Sequence, residues 1–339
     1  MSNQMQKKVL AKGKVRGIHK RSIGVLLLLT GLVSTAILIY LFIHSYPEKP
    51  KLFRYILGLR LPTLVCMMIA SVAIGAATLI FQSIVNNRIV TPALLGMSSI
   101  YSFLHTAAVF AMGTGSILFL NANLAFAVDL VLMGIVATLV YWYLFEKTGH
   151  NILYIMLIGT VLSSLFGSMQ SSMIRVMDPN EYDALLSSLV ADFNHVNGEI
   201  ILFAILALAG IALLLWKDLK LLDVITMGRN QAINLGVNYD RVIRRLLFGV
   251  VLCMAVATAS VGPVSFLGLI VANLSRQLLK TYRHSYLIWG ASLMGMLALM
   301  GGQLISQHIF HFTVPVSTFV TIAGGVYFLY LLLVKKGAY

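Results

Sequence analysis

Long apolar runs recur along almost the whole chain, and each is close to the length that a helix needs to cross a membrane. A hydrocarbon core of about 30 Å takes about 20 helical residues. Charged residues make up only 11% of the chain, whereas a soluble domain carries about 25%. No segment shows the alternating pattern of about ten residues that a membrane β-barrel needs. The sequence therefore predicts an all-α fold, a polytopic transmembrane helical bundle.

About ten spans are predicted from the apolar runs and the polar breaks between them. Their approximate ranges are 22–44, 61–84, 93–113, 122–145, 151–174, 199–216, 245–262, 263–280, 286–306 and 314–334. The break at Gly262 and Pro263 leaves two alternatives for 245–280, either one bent helix or two short ones. An even number of spans places both termini on one side of the membrane. We expect residues 22–339 to form a single transmembrane domain.

Basic residues indicate which side is cytoplasmic. With ten spans, five of the 25 Lys and Arg residues fall in one set of loops, namely Lys49, Lys51, Arg54, Arg60 and Arg175. The other 20 fall in the opposite loops and in the two tails, which are predicted to be cytoplasmic by the positive-inside rule. This rule places a basic tail at 1–21 and a polar insert at 217–244 in the cytoplasm. The formal charge of +14 also suits contact with an anionic lipid surface, and no nucleic-acid partner is expected.

The cytoplasmic insert has a pattern suited to contact with another protein. Gly228 and Gly236 divide its segment LLDVITMGRNQAINLGV into two predicted short helices, each with an apolar face. We expect these faces to dock on a cytoplasmic partner, and the alternative is an amphipathic helix that lies on the inner leaflet. Gly236 is expected to need either a positive φ or a close approach of the partner. The candidate contact residues are Leu221, Gly228, Arg229, Ala232, Leu235, Gly236 and Val237.

Catalytic and cofactor motifs are missing from the sequence. It contains no HExxH motif, no GxSxG in a strand-turn-helix setting and no GxxxxGK[ST] phosphate loop. Cys66 and Cys253 both lie in apolar spans, where we expect small packing residues. His308 and His311 are three residues apart, but they fall at an outer loop without a nearby carboxylate or cysteine and are interpreted as interfacial polar residues. We therefore expect no enzyme activity, no nucleotide site, no metal site and no cofactor.

Polar residues inside two spans support separate hypotheses. Asp129 is the one acidic residue clearly within a span, which makes it a candidate for proton or ion coupling. Its place near the outer end of the span favours a hydrated carboxylate instead. Small and polar residues crowd the fifth span, where they either pack tightly or line a substrate path. The candidate path residues are Ser163, Ser164, Gly167, Gln170 and Ser171.

Ordered motifs along nearly the whole chain resemble those of one transporter family. They are Arg60-Leu61-Pro62, Gln82, Asn87, Pro92-x-x-Leu95-Gly96, Ala232-x-x-Leu235-Gly236-Val237, Arg241, the run VGPVSFLGLIV at 261–271, Arg276, Pro315 and the ending GGVYFLYLL at 324–332. The set is similar to that of the permeases of bacterial iron-siderophore and vitamin B12 ABC importers. The stretch 177–197 is closer to the paired iron-siderophore permeases, including catechol and petrobactin systems, than to the B12 branch.

The chain departs from the family pattern at several positions. Thr63 stands where a second docking arginine is expected, and Arg88 follows Asn87 where the family has proline. A family Pro-His pair is replaced by Ala272-Asn273. In the ninth span, Gly302 and Ser306 stand in place of an acidic residue and an arginine.

The resemblance implies a complete functional hypothesis. It predicts a type II ABC importer permease of the bacterial cytoplasmic membrane that takes up ferric siderophores. The implied partners are cytoplasmic ATPase subunits that dock on the insert, a second permease chain that makes a heterodimer in preference to a homodimer, and an external binding protein. Arg60 and Arg54 are the implied docking residues for that binding protein. The alternatives are a permease for vitamin B12, heme or a divalent metal, and a secondary transporter.

Overall fold

Helices account for almost all of the chain in the computed structural model, which describes residues 3–43, 49–148, 152–191, 193 and 198–334. The helices are α1 (Asn3–Phe42), α2 (Pro50–Val85), α3 (Ser98–Met112), α4 (Ile117–Leu120), α5 (Ala122–Lys147), α6 (Ile152–Val176), α7 (Pro179–Leu189), α8 (Ile200–Ile225), α9 (Arg229–Asn234), α10 (Tyr239–Val261), α11 (Leu267–Leu279), α12 (His284–His308) and α13 (Val316–Val334). A π-helical turn at Ala93–Met97 leads into α3.

Eight helices in the described part of the chain are long and apolar enough to cross a membrane. They are α1, α2, α3 with its π-helical turn, α5, α6, α8, α10 and α12, and α11 and α13 are shorter apolar helices. Each of the ten predicted spans therefore corresponds to one helix, and the all-α bundle is confirmed. The break at 262–266 separates α10 from α11, so two helices rather than one bent helix occupy 245–280.

Several helix boundaries differ from the predicted spans. α1 begins at Asn3, so residues 3–21 of the predicted tail continue the first span as a helix. α2 begins at Pro50, eleven residues before the predicted start, and Pro62 lies inside it. The first turns of both helices contain polar residues, and for that reason these turns were predicted to lie outside the spans. The last predicted cytoplasmic cations, Lys335 and Lys336, lie outside the described residues, as do 194–197 of the outer loop.

The loop between α6 and α8 contains a helix that the sequence analysis did not predict. Asp178 caps α7 by accepting a hydrogen bond from the Asn180 backbone N–H at 2.9 Å, and Pro179 occupies the first turn. The buried Leu185 of α7 packs with Val109 of α3. The helix therefore covers one end of α3, and the Asp-Pro pair is the local signal from which its start could have been predicted.

Small residues allow α2 to pack closely at the centre of the bundle. α2 and α10 are the most buried helices, whereas α1 and α6 are the most exposed. A Cβ on Gly75 would come within 3.3 Å of the Ala291 backbone of α12, and Ser71 hydrogen-bonds the Ser292 carbonyl of the same helix. The side chain of Thr78 fills the space beside Gly268 of α11. The small residues of the second span are thus packing residues.

Candidate functional site

The polar insert at 217–244 contains one short helix rather than the two predicted. α8 continues to Ile225, so Leu221 lies in its last turns, and α9 (Arg229–Asn234) is the separate element. The prediction of a first short helix at 221–227 is therefore wrong. Leu222 and Ile225 are fully or almost fully buried and extend the apolar face of α8 without a break. Continuity of that face keeps the helix intact past the membrane boundary.

Two glycines with positive φ set the direction of α9. Gly228 has φ +103° and precedes the helix, and Gly236 has φ +81° and follows it. The Gly236 N–H donates to the Ile233 carbonyl at 2.9 Å, and the Val237 N–H donates to the Ala232 carbonyl at 3.0 Å. Such a turn after a helix favours glycine, because other residues are strained at this φ. The expectation that Gly236 needs a positive φ is confirmed.

The tip of the insert presents apolar side chains to its surroundings. Met227 is 58% exposed, Ile233 is 51% exposed and Leu235 is 63% exposed. Ala232 faces the other way and is fully buried. We call Met227, Ile233 and Leu235 the insert tip. A cluster of exposed apolar residues on a polar segment is typical of a protein-contact surface.

An ion pair ties α9 to the start of α10. Arg229 and Asp240 are 3.1 Å apart, and Asn238 caps α10 by accepting from the Arg241 N–H at 3.2 Å. A cleft of about 340 Å³ lies beside this pair. It is lined by Trp142, Phe145, Glu146, Arg229, Asp240, Ile243, Arg244 and Leu247. These contacts link α9 to the start of α10.

A chain of polar contacts runs from the insert to two membrane helices. Asp223, near the end of α8, accepts hydrogen bonds from the backbone N–H of His284 at 3.0 Å and from its Nδ1 at 2.5 Å. His284 Nε2 is 2.8 Å from Ser83 Oγ in the last turns of α2. Ser83 is 4% exposed and donates its hydroxyl to the Leu79 carbonyl, so it is not presented to solvent as a nucleophile. These contacts connect the end of α8, the start of α12 and the end of α2.

Sequence reasoning missed this polar chain because its members come from positions 83, 223 and 284. Their separation along the sequence leaves no local pattern. A second contact of this kind fixes the loop between α2 and α3, where the Arg88 carbonyl accepts from Gln82 Nε2 at 2.7 Å and from Asn273 Nδ2 at 3.0 Å. Asn273, which stands where the family pattern has histidine, thus contacts the loop after α2.

Arg60, near the start of the second predicted span, is mostly buried and caps α1. Its Nη1 donates to the carbonyls of Tyr40 at 2.8 Å, Leu41 at 3.1 Å and Ile43 at 2.7 Å. These are among the last carbonyls of α1, which have no partner within the helix. Arg54, in contrast, is exposed on the first turns of α2. The docking role of both residues stays a prediction, and Arg54 is the one whose charge is displayed to an outside partner.

The two positions that lack the expected arginines have structural contacts. Thr63 Oγ1 donates to the Phe193 carbonyl at 3.0 Å, and Ser306 Oγ donates to the Val314 carbonyl at 2.6 Å. Both side chains are buried. Each hydroxyl therefore fixes a loop at the outer side.

α6 displays a row of polar side chains that no described part of the chain covers. Thr160, Ser164, Ser168, Ser172 and Arg175 are exposed at intervals of three or four residues, which places them on one helix face. Most of these hydroxyls donate to backbone carbonyls of their own helix, as Ser168 does to Ser164 at 2.8 Å. We call these five residues the α6 polar stripe. Ser and Thr are enriched where membrane helices meet, so the stripe suits contact with another helix.

The predicted path residues on α6 point in different directions. Ser163 faces Gly96, where a Cβ would come within 2.6 Å of its Oγ, so Ser163 is a close-packing residue. Ser164 and Ser171 are exposed, and Gly167 and Gln170 are partly exposed. Ser163 is partly exposed as well, so all five predicted residues have some accessible surface. Ser168 and Ser172, which belong to the small and polar residues noted in this span, extend the same surface, as do Thr160 and Arg175, which were missed.

Asp129 is buried and has side-chain partners on another helix. It is 6% exposed, and its carboxylate is 2.8 Å from His105 Nδ1 and 3.4 Å from the Tyr101 hydroxyl. These partners come from α3 and could not be identified from the sequence of α5, and hydration of the carboxylate stays a prediction. The group lines an outer cavity of about 390 Å³. Within the described residues no three His, Cys, Asp or Glu side chains come together as a metal site.

Comparison with known proteins gives consistent matches over most of the chain. The sequence profile of the FecCD transport family matches residues 22–334. The petrobactin import system permease protein YclO of Bacillus subtilis is 38% identical over 82% of this chain and 89% of that protein. The petrobactin import system permease protein FatC of Bacillus anthracis is 31% identical over 82% of this chain and 78% of that protein.

A solved structure has the same fold. It shows an inward-facing conformation of a metal-chelate type ABC transporter, and it matches with a TM-score of 0.78 at 23% identity. The match covers 93% of this chain and 99% of that one.

Proposed function

This chain belongs to the FecCD transport family, and from that membership we propose that it is the permease subunit of an ABC importer for ferric siderophores. The names of its relatives YclO and FatC support petrobactin as the first substrate to test. The observation that carries the proposal is that the described residues leave two separate surfaces exposed. One is the insert tip, and the other is the α6 polar stripe.

The α6 polar stripe supports a path formed between two permease chains. A ferric chelate is too large and polar to cross hydrocarbon, so it needs a route lined by polar groups. The hydroxyls of Thr160, Ser168 and Ser172 donate to carbonyls of their own helix. They therefore offer lone pairs and a weakly polar surface rather than strong binding groups. Such a surface allows a chelate to pass without being held.

The insert tip supports docking of a cytoplasmic ATPase subunit. Met227, Ile233 and Leu235 are held by the two glycine turns and by the Arg229 ion pair. A fixed apolar tip of this size suits a cleft on another protein better than it suits a lipid surface, since the residues project from a turn rather than lie along one face of a long helix.

The polar chain from Asp223 through His284 to Ser83 gives ATPase movement a route into the bundle. Displacement of the insert moves Asp223, which holds the first turn of α12 through two hydrogen bonds. His284 in turn contacts the end of α2, next to the loop that Gln82 and Asn273 fix. These residues act as positioning groups that transmit a shift of the insert to α2 and α12.

The remaining partners complete the assembly that we propose. The second chain is a different but similar permease, in line with the likeness to paired siderophore systems. An external binding protein docks at the outer loops, with Arg54 and Arg60 on its side of the membrane. Both termini and the insert face the cytoplasm, which the distribution of basic residues supports.

Uptake by cells that lack only this chain tests the substrate. Radiolabelled ferric petrobactin, other ferric siderophores, heme and vitamin B12 are supplied separately, with and without the restored wild-type chain. We expect restoration of ferric petrobactin uptake. Restored uptake of vitamin B12 or heme instead, with no ferric siderophore transported, contradicts the proposal.

Co-purification tests the heterodimer. Two copies of this chain carrying different tags are expressed together with its sister permease. We expect the sister permease to be recovered with either tag and the two copies not to be recovered together. Recovery of both tags on one particle indicates a homodimer and refutes this part of the proposal.

A further inference from the structure

A cavity of about 480 Å³ opens on the cytoplasmic side, apart from the insert tip and the α6 polar stripe. Three segments enclose it. The loop after α2 contributes Arg88, the end of α8 contributes Thr226, and the turn between α11 and α12 contributes Lys280 and Tyr282. Arg276, in the last turn of α11, forms part of the wall.

The lining of this cavity contains Lys and Arg side chains but no carboxylate. These cations are Arg88, Arg276 and Lys280. In the described part of the chain none of the three cations is within salt-bridge distance of a carboxylate. Arg88 and Arg276 line the same cavity, so their positive charges repel each other. Three cations that converge without a counter-charge favour an anion between them.

The hydrogen-bonding groups of the cavity are also incompletely used. Arg276 has five N–H donors, but its side chain makes one long hydrogen bond, from Nη2 to Ser83 Oγ at 3.4 Å, and its Nε is buried without an acceptor among the described residues. Gln82 is 2% exposed, and its Oε1 also has no donor there, although its Nε2 bonds the Arg88 carbonyl. The hydroxyls of Thr281 and Tyr282 add further donors at the rim.

We propose that this cavity binds a phosphate group, held by Arg88, Arg276 and Lys280. Planar guanidinium groups match phosphate oxygens in paired hydrogen bonds, and Lys280 adds a point charge at the rim. The site opens at the cytoplasmic end of the bundle, where both the headgroup of an anionic phospholipid and a soluble phosphate ester have access. A bound phosphate joins the loop after α2, the end of α8 and the start of α12. It therefore stabilises the same segments that the Asp223 contacts connect.

Binding to the purified full-length chain tests the site and identifies the source of the phosphate. Native mass spectrometry in detergent measures retention of dioleoylphosphatidylglycerol against the zwitterionic dioleoylphosphatidylcholine. Isothermal titration with sn-glycerol 3-phosphate tests a soluble ester. The variants are Arg88→Gln and Lys280→Gln, whose side chains are exposed and make no hydrogen bond with the described residues. The matched control is Lys147→Gln, an exposed cytoplasmic cation that does not line the cavity.

We expect each cavity variant to weaken phosphate binding by about tenfold, as is usual for loss of one charge-assisted hydrogen bond, with Lys147→Gln unchanged. If the cavity variants lose affinity for phosphatidylglycerol and glycerol phosphate does not bind, the site is assigned to a membrane lipid. If they lose affinity for glycerol phosphate, the site is assigned to a soluble ester. No binding of either ligand to wild type, or equal binding by all variants, overturns the proposal. Neither ligand involves transport, so this result is independent of the proposed importer function.

Discussion

Replacement of Leu235 by alanine tests whether the insert tip docks on the ATPase. Complete burial of a leucine side chain stabilises a complex by about 1.5–3 kcal/mol. Leu235 still has 63% of its surface exposed in the chain alone, so docking recovers about 1–2 kcal/mol of that amount. Removal of most of the side chain should therefore raise the dissociation constant of the ATPase by about 5–30-fold.

The assay is equilibrium binding of the purified ATPase to the permease pair in lipid nanodiscs. Leu213→Ala is the matched control, because Leu213 is 77% exposed but lies within the membrane-spanning part of α8. Its dissociation constant should stay within about twofold of wild type. If Leu235→Ala binds as tightly as Leu213→Ala, the insert tip is not buried in the ATPase. The alternative of a segment lying on the inner leaflet then takes its place.

Four further predictions concern other parts of the molecule. Gly236→Asp should insert normally yet lose ATPase association and uptake, since it adds a charge to a tip whose φ is +81°. Asp223→Ala should retain ATPase binding but lower uptake by about tenfold, because the link to α12 is lost. Arg60→Gln should destabilise the chain by about 2–4 kcal/mol in thermal unfolding, since carbonyls of α1 lose their donor. In a cysteine-free background, a membrane-impermeant maleimide should label cysteine at Asn180 in intact cells and at Gln231 only after permeabilisation.

For each of these four predictions, a specific experimental result would contradict the reasoning. Wild-type ATPase binding and stimulated hydrolysis in Gly236→Asp remove the insert as the coupling element. Loss of ATPase binding in Asp223→Ala shows that Asp223 supports docking rather than transmission. Normal stability of Arg60→Gln, together with weaker and less salt-sensitive binding-protein association, favours docking over capping. Labelling of Gln231 in intact cells reverses the topology.

Much of the fold follows from local properties of the sequence. The spans were predictable because burial in lipid requires about 20 consecutive apolar residues that satisfy their own backbone hydrogen bonds. Gly228 and Gly236 marked turns because a positive φ favours glycine. Even so, the end of α8 was misplaced, since buried Leu222 and Ile225 continue a helical face that polar neighbours obscure.

The contacts that complete the candidate sites were decided by the tertiary structure. His105 reaches Asp129 from another helix, and Arg60 caps α1 after the chain has reversed direction. Three cations distant in sequence, Arg88, Arg276 and Lys280, line one cavity. Apolar length and glycine position are properties of a single segment, so the sequence by itself determined the membrane bundle and the exposed insert. Polar contacts between segments depend on how the helices pack, and only the folded chain brings those side chains within hydrogen-bonding distance.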